Sequence, residues 1–273
     1  MLDGGSMFGV IPRTLWSRMV EPDEMNRYRM QTNCLLLERD GTRVLVESGF
    51  GDKWTPRERE IYCFQDRTVR DALAEIDVDP ASIDHVFLSH MHFDHAGGTT
   101  HAEDGGDVVP SFPNARIHVQ DREWQDARDN RTTMSGTFRP ENMDPISDQL
   151  VLADGECEPV QGIRVMPVPG HTWGQQAILF EDSDGTLCFP GDLVPDVHHF
   201  HPSASMGFDM LPWDNMVTKK ALFKQAMDGD WRLVLAHEMG PAVVTVQADP
   251  DHPGRCLPVA WQPAGDGSAT CDG

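Results

Sequence analysis

Four side chains that can bind a metal occur within six residues of one another in the first half of the sequence. They are His90, His92, Asp94 and His95. Imidazole and carboxylate groups together are ligands that suit Zn²⁺ and neighbouring first-row metals. A bound divalent metal lowers the pKa of its water to about 7, which provides a hydroxide nucleophile at neutral pH. The cluster therefore predicts a metal site with hydrolytic chemistry.

Strand patterns end next to four candidate ligands. The apolar runs cover residues 84–89, 163–168, 187–189 and 233–236, and the polar residues that follow them are His90, His171, Asp192 and His237. A rigid strand aims the first residues of the loop that follows it, so α/β folds place functional side chains at such ends. We therefore expect the later ligands to join the first cluster in space.

The remaining pattern alternates short apolar runs with helical periodicity, which favours an α/β fold. Hairpins are predicted at residues 34–47 and 177–189, helices at 68–76, 121–129 and 215–227, and a long surface loop at 130–148. The hairpin turns are expected at Asp40-Gly41 and Asp184-Gly185. The sequence shows no linker, so we expect a single domain over residues 1–273, with a C-terminal tail that is only partly ordered from about residue 250.

The composition argues against several classes of partner. The chain has 44 acidic and 22 basic residues, and a formal charge of −22 repels nucleic acids and anionic membranes. Its six cysteines form no C-x-x-C pair, which favours free thiols in a reducing compartment. The first residues lack the basic and apolar regions of a signal peptide, so we expect a cytoplasmic protein. A saline habitat is an alternative reason for the acidic surface, because salt screens self-repulsion.

The candidate ligands, in this order, resemble the signature of the metallo-β-lactamase superfamily, and the resemblance extends over most of the chain. It implies an αβ/βα four-layer sandwich whose site lies at one edge, between two similar halves. In that arrangement His90, His92 and His171 hold one metal, Asp94, His95 and His237 hold a second, and Asp192 bridges both. The implied cofactors are two divalent metal ions, zinc first, with iron, manganese or cobalt as alternatives.

Several segments narrow the resemblance within the superfamily. Asp192 stands where secreted β-lactamases of the family have a cysteine, which favours lactonases, thioester hydrolases and organophosphate hydrolases. Residues 3–12, 191–195 and 206–209 are similar to the quorum-quenching N-acyl homoserine lactone lactonase-like branch. Two features depart from the pattern. Glu47 replaces an aspartate of the second-strand motif, and the tyrosine expected after the bridging aspartate is missing, since the only tyrosines are Tyr28 and Tyr62.

Three histidines shortly after Asp192 are candidates for protonating the leaving group, because imidazole titrates near neutrality. They are His198, His199 and His201, and His198 is the first choice. The alternative is a loop with surface histidines. Asp94 and Asp192 are the other expected catalytic residues; Asp94 could also carry a proton, although metal binding alone is the simpler interpretation.

Two groups of apolar residues could line a pocket for an acyl chain. They are Met7, Phe8, Trp16 and Met19 near the start, and Met206, Phe208, Met210, Leu211 and Trp213 after the predicted ligands. Binding pockets are mostly apolar with a few polar groups. The alternative for each group is ordinary packing in the core.

We therefore expect a binuclear metal-dependent hydrolase that opens the ester of a lactone, such as an N-acyl homoserine lactone, by a metal-bound hydroxide. Alternatives on the same fold are an arylesterase or phosphotriesterase and a thioester hydrolase. A redox or non-catalytic metal protein is disfavoured, because the ligand set is intact and no electron-transfer domain is attached. The expected partner is a small-molecule substrate, and the sequence leaves a homodimer open.

Overall fold

The computed structural model describes residues 1–134 and 136–263. Within them the strands are β1 (Leu2–Asp3), β2 (Arg27–Tyr28), β3 (Leu35–Arg39), β4 (Thr42–Val46), β5 (His85–Phe87), β6 (Thr100–Ala102), β7 (Val108–Pro110), β8 (Arg116–Gln120), β9 (Leu150–Ala153), β10 (Cys157–Val160), β11 (Ile163–Pro167), β12 (Gln176–Asp182), β13 (Gly185–Phe189), β14 (Arg232–Val234), β15 (Val243–Ala248) and β16 (Cys256–Ala260). The α-helices are α1 (Gly4–Phe8), α2 (Arg13–Trp16), α3 (Pro56–Tyr62), α4 (Val69–Ala74), α5 (Phe93–Ala96), α6 (Asp121–Arg128), α7 (Pro140–Met143) and α8 (Pro212–Asp228). None of the helices in this described part combines the length and the apolar character needed to pass through a bilayer.

One sheet has five strands in the order β3-β4-β5-β8-β9. Strands β3 and β4 form the predicted antiparallel hairpin, and the other neighbours in this sheet are parallel. The hairpin turn consists of Asp40 and Gly41, whose φ angles are 51° and 82°. A two-residue turn of this kind requires positive φ at both positions, which explains the Asp-Gly sequence.

The second sheet has seven strands that follow chain order from β10 to β16. Its neighbours are antiparallel, except that β13 and β14 are parallel. A parallel pair needs a crossover connection of a dozen or more residues, and the 17-residue helix α8 lies in this connection. The predicted second hairpin is β12-β13, with Asp182 opposite Gly185.

The two sheets pack face to face, and helices cover the outer face of each. Between the sheets, Val46 and Phe87 of the first sheet pack with Ile178 and Phe189 of the second. Another cluster of buried residues joins the outer face of the five-stranded sheet to α4 and α6, and a third joins the seven-stranded sheet to α8. Strands buried on both faces become continuously apolar, as the sequence Val-Leu-Val of β4 illustrates. The implied αβ/βα four-layer sandwich is therefore confirmed.

One segment differs from the sequence-based expectations. The predicted surface loop at 130–148 contains α7 and a 3₁₀ helix (Asp144–Gln149), because Met143 and Ile146 are buried and Pro140 suits a first helical position. The tail that is expected to be only partly ordered from about residue 250 contains β16. This strand pairs with β15 through the backbone, with Val244 opposite Ala260. The end of the tail, residues 264–273, lies outside the described residues.

Candidate metal centre

The segment that runs from the end of β5 through α5 carries the first four predicted ligands, and it is held against the end of β4. The Ser89 amide donates a hydrogen bond to Glu47 Oε1 at 2.8 Å, and Ser89 Oγ lies 2.9 Å from His90 Nδ1. Gly98 allows the chain to pass close to the strand, because a Cβ there would lie 2.1 Å from the Ser48 carbonyl oxygen. These contacts hold the segment in place and orient the His90 imidazole through its Nδ1, as a metal site requires.

The seven predicted ligands come together where loops leave β5, β11, β13 and β14. Three groups of them have ligand atoms that all lie within 4.8 Å of one another: His90, His92 and His171; His90, His95 and Asp192; Asp94, His95 and His237. All seven are buried except Asp94, which is partly exposed. The ends of the predicted strands therefore do meet at one site.

Asp192 lies between imidazoles from different groups. Its Oδ2 is 3.4 Å from His171 Nε2, whereas its Oδ1 is 3.3 Å from His95 Nε2 and 3.0 Å from His237 Nε2. The preceding residue, Gly191, has a φ of 55°, a conformation that favours glycine and that turns the chain into the site. Asp192 Oδ2 thus faces His171, and Asp192 Oδ1 faces His95 and His237.

The local electrostatics differ between the members of the cluster. Burial lowers the pKa of His95, His171 and His237, but the Asp192 carboxylate outweighs burial and raises the pKa of all three above the usual value. Burial, together with the neighbouring imidazoles, lowers the pKa of His90 and His92 well below the usual value, so both rings are neutral. Burial alone would raise the pKa of the Asp192 carboxyl. The imidazoles of His237 and His95 outweigh this effect and hold the pKa of Asp192 well below its usual range, so the carboxylate is ionised.

Hydrogen bonds outside the cluster determine which ring nitrogen faces inward. His237 Nδ1 donates to the Gln31 carbonyl oxygen at 2.7 Å, so His237 Nε2 is the nitrogen that faces the cluster. His171 Nδ1 lies 2.8 Å from Asp209 Oδ1 and donates to that carboxylate. Metal-binding histidines almost always give their outer N–H to a carbonyl or a carboxylate in this way.

Four buried atoms of the cluster have no partner with hydrogen-bond geometry among the described residues, although Asp192 Oδ1 lies 3.0 Å from His237 Nε2 and 3.3 Å from His95 Nε2. They are His90 Nε2, His95 Nε2, His237 Nε2 and Asp192 Oδ1. An unsatisfied buried polar group costs about 1–3 kcal/mol, so several at one point require an explanation. Imidazole nitrogens and a carboxylate oxygen are the donor set of divalent zinc and related metals. The residues therefore fit a divalent metal centre.

A cavity of about 1010 Å³ lies beside the cluster and is lined by five of the predicted ligands: His92, Asp94, His171, Asp192 and His237. Much of the remaining wall is aromatic or apolar, including Phe50, Tyr62, Phe64, Phe93, Met206 and Phe208. Small-molecule sites are concave and mostly apolar with a few polar groups, and this cavity has that character.

Tyr62 reaches this cavity although the sequence interpretation did not select it. Its ring packs on Phe64 at 5.2 Å and on Phe93 at 5.3 Å. Burial and the nearby Asp94 carboxylate raise the pKa of Tyr62, so its hydroxyl stays protonated at neutral pH. A capping box at Thr55, with proline at the next position, is the sequence signal for α3, which ends at Tyr62.

The three histidines proposed for leaving-group protonation lie elsewhere. The His198 ring packs against Phe8 at 6.3 Å. His199 is buried, with Nδ1 2.6 Å from Asp196 Oδ1 and Nε2 2.9 Å from the Met7 carbonyl oxygen, and His201 is exposed. None of these three histidines is among the described residues that line the cavity. The structure therefore does not bring His198 to the ligands.

The two predicted apolar groups reach the cavity only in part. Met7, Phe8 and Trp16 are buried in a separate cluster with Tyr28 and Met206. Of the second group, Met206 and Phe208 line the cavity, whereas Trp213 lies on α8 and is 70% exposed. The members that do not line it are Met7, Phe8, Trp16, Met19, Met210, Leu211 and Trp213.

Comparison with known proteins agrees with this architecture. The chain matches the model of the metallo-beta-lactamase superfamily over residues 27–237. An N-acyl homoserine lactonase from a Bacillus species is 27% identical over 160 residues, or 54% of this chain, and the match spans 57% of that relative's length.

Two solved structures share the fold. A probable metal-dependent hydrolase from Staphylococcus aureus is 27% identical, with a TM-score of 0.83 over 89% of this chain and 87% of that chain. A dizinc quorum-quenching lactonase, in complex with a product, is 19% identical, with a TM-score of 0.69 over 85% of this chain and 80% of that chain. On the family match and the shared fold, the chain belongs to the metallo-β-lactamase superfamily.

Proposed function

We propose that the protein is a binuclear metal hydrolase that opens the ester ring of acyl lactones, such as N-acyl homoserine lactones. The observation that carries the binuclear part is the position of Asp192. One of its oxygens lies near His171 and the other near His95 and His237. Two cations held close together need a shared anion between them, and a carboxylate with this orientation provides one.

The proposed ligands divide into two sets around that carboxylate. One ion would be held by His90, His92 and His171. The other would be held by Asp94, His95 and His237, and Asp192 would contribute to both sites. The mixture of imidazoles and carboxylates favours zinc, with iron, manganese and cobalt as alternatives. When bound, such ions acidify water and polarise a carbonyl oxygen, which is the chemistry that ester hydrolysis needs.

The protein's own residues would bind the substrate and handle the leaving group. Met206 and Phe208 offer apolar surface to an acyl chain in the cavity beside the ligands. Tyr62 lines the same cavity as Asp94 and carries a protonated hydroxyl, because burial and the Asp94 charge raise its pKa. It is our candidate for donating a hydrogen bond to the oxygen that leaves when the ring opens. The similarity to an N-acyl homoserine lactonase supports a lactone substrate.

An aryl ester or phosphotriester is the second candidate substrate, and one observation favours it. Phe50 and Phe64 stack at 4.3 Å, and Tyr62 and Phe93 continue the same wall of the cavity. Aromatic rings pair favourably with one another beyond the burial of their area, so this wall would also accept an aryl leaving group.

A panel of substrates tests the proposal. Metal-reconstituted protein would be assayed with short- and long-chain acyl homoserine lactones, an aryl ester, a thioester, a phosphotriester and a β-lactam. We expect the highest kcat/KM for an acyl lactone and negligible turnover of the β-lactam. Rapid phosphotriester or aryl ester turnover without any lactone hydrolysis would replace the first candidate by the second.

A further inference from the structure

Glu123, on α6, is a fully buried carboxylate that has no part in the proposed reaction. Its Oε1 accepts a hydrogen bond from the Met91 amide at 3.0 Å, and its Oε2 accepts one from Thr172 Oγ1 at 2.6 Å. Met91 stands between two of the proposed ligands, and Thr172 directly follows a third. One carboxylate therefore joins the loop after β5 to the loop after β11.

The start of α6 lies in backbone contact with the second of these loops. A Cβ at Gly174 would lie 2.2 Å from the Glu123 amide nitrogen and 2.5 Å from Glu123 Cα. The glycine thus permits the approach that lets Glu123 reach Thr172. Burying a carboxyl group is costly, and an apolar side chain would fill the volume without that cost. The hydrogen bonds to the two loops are what a carboxylate adds here.

We propose that Glu123 is a positioning residue that sets the spacing between His171 and the pair His90 and His92. This proposal rests on the binuclear assignment above and is independent of which substrate is hydrolysed. The other set of ligands has its own carboxylate contact, since His95 Nδ1 lies 3.4 Å from Glu47 Oε2. Loss of the Glu123 carboxylate should therefore weaken metal binding by the His90, His92 and His171 set and leave the second set unchanged.

Cobalt binding by the metal-free protein tests this role without any substrate. Co²⁺ would be titrated with detection by its visible absorption and by competition with a coloured chelator, and His171→Ala and His237→Ala would assign the binding steps to the two ligand sets. Glu123→Ala should weaken the step that His171→Ala abolishes by roughly 10–100-fold, as changes behind metal ligands do. The other step should keep its wild-type affinity.

Two matched variants separate positioning from general damage to the fold. In Glu123→Gln the amide oxygen can accept from Met91, and the amide nitrogen can donate to the Thr172 hydroxyl, so affinity should stay within about threefold of wild type. Gln125→Ala changes an exposed residue of the same helix and should have no effect. If Glu123→Ala does not fold, Thr172→Val removes one of the two hydrogen bonds and should weaken the same step.

Several results would overturn the proposal. Each of three results would show that Glu123 does not position these ligands. The first is that Glu123→Ala, or Thr172→Val if it replaces that variant, binds both ions with wild-type affinity. The others are equal weakening of both binding steps, and equal losses of affinity in Glu123→Gln and Glu123→Ala. Wild-type protein that binds no second Co²⁺ would instead overturn the binuclear assignment, and this proposal with it.

Discussion

Asp209 Oδ1 lies 2.8 Å from His171 Nδ1, and both side chains are only 1% exposed. The other carboxylate oxygen, Oδ2, accepts a hydrogen bond from the Met206 amide at 3.1 Å. Asp209 thus connects a proposed metal ligand to a residue that lines the substrate cavity. Because His171 Nδ1 donates outward, its Nε2 is the nitrogen that faces His92 and Asp192 in the cluster.

Asp209→Ala is expected to weaken metal retention by roughly 10–100-fold, because His171 loses the partner that fixes its ring. Asp209→Asn keeps an oxygen that can accept from Nδ1 and should lose less. Metal content after graded dialysis against a chelator measures the effect, with Asp214→Ala, an exposed acid on α8, as the control. Equal retention by Asp209→Ala and wild type would contradict this role.

Tyr62→Phe is expected to lower kcat about 10-fold or more with unchanged metal content, because it removes only the hydroxyl proposed to assist the leaving oxygen. Tyr28→Phe is the matched control, since Tyr28 is buried and is not among the described residues that line the cavity. Steady-state kinetics with an acyl lactone and metal analysis check both variants. Unchanged kcat in Tyr62→Phe would remove Tyr62 from the mechanism.

His198→Ala is expected to leave turnover close to wild type, because the His198 ring packs against Phe8 and Tyr28 outside the cavity. A group that transfers a proton in the transition state contributes about 10²–10⁴-fold to the rate, so a real role would be visible in kcat. The pH–rate profile of the variant should likewise match that of wild type. A loss of this size would restore His198 as the proton donor.

The convergence of the proposed ligands could be predicted from the sequence because each follows a strand or lies in one compact motif. Tyr62 could not, since its approach to Asp94 depends on how α3 packs its aromatic ring on Phe93. Strand β10 was also missed, because it is a sheet edge that contains Pro159 and exposed Glu158, and tertiary pairing rather than local propensity forms it. Sequence patterns thus predict strand ends better than contacts between distant segments.

Lys219 should make stability depend on pH. Its Nζ donates to the Ala204 carbonyl oxygen at 2.7 Å, and its side chain is buried. Burial lowers the pKa of Lys219 to about 8, although Asp209 and Asp196 oppose the shift. The unfolded value is about 10.4, so between these values the unfolded chain binds more protons than the folded one. The free energy of unfolding should therefore rise with pH in this window, and the full cost of the buried ammonium is present below about pH 8.

Urea unfolding of metal-free wild type and Lys219→Met between about pH 7 and pH 10 measures this contribution. Relative to the variant, wild type should gain about 2 kcal/mol over the range, because the lysine becomes neutral in the folded state first. Lys220→Met, an exposed neighbour, should show no such trend. A difference between wild type and Lys219→Met that stays constant with pH would show that Lys219 titrates normally.

The metal content of wild type and Asp192→Ala tests most directly the central claim that Asp192 joins two metal sites. Protein purified without chelator should contain close to two equivalents of divalent metal per chain. Asp192→Ala should lose both ions together, because the two oxygens of the wild-type Asp192 carboxylate face imidazoles of both sets. His237→Ala should lose mainly one ion. A reproducible single equivalent in active wild type, or Asp192→Ala that keeps two ions and near-normal turnover, would contradict the account.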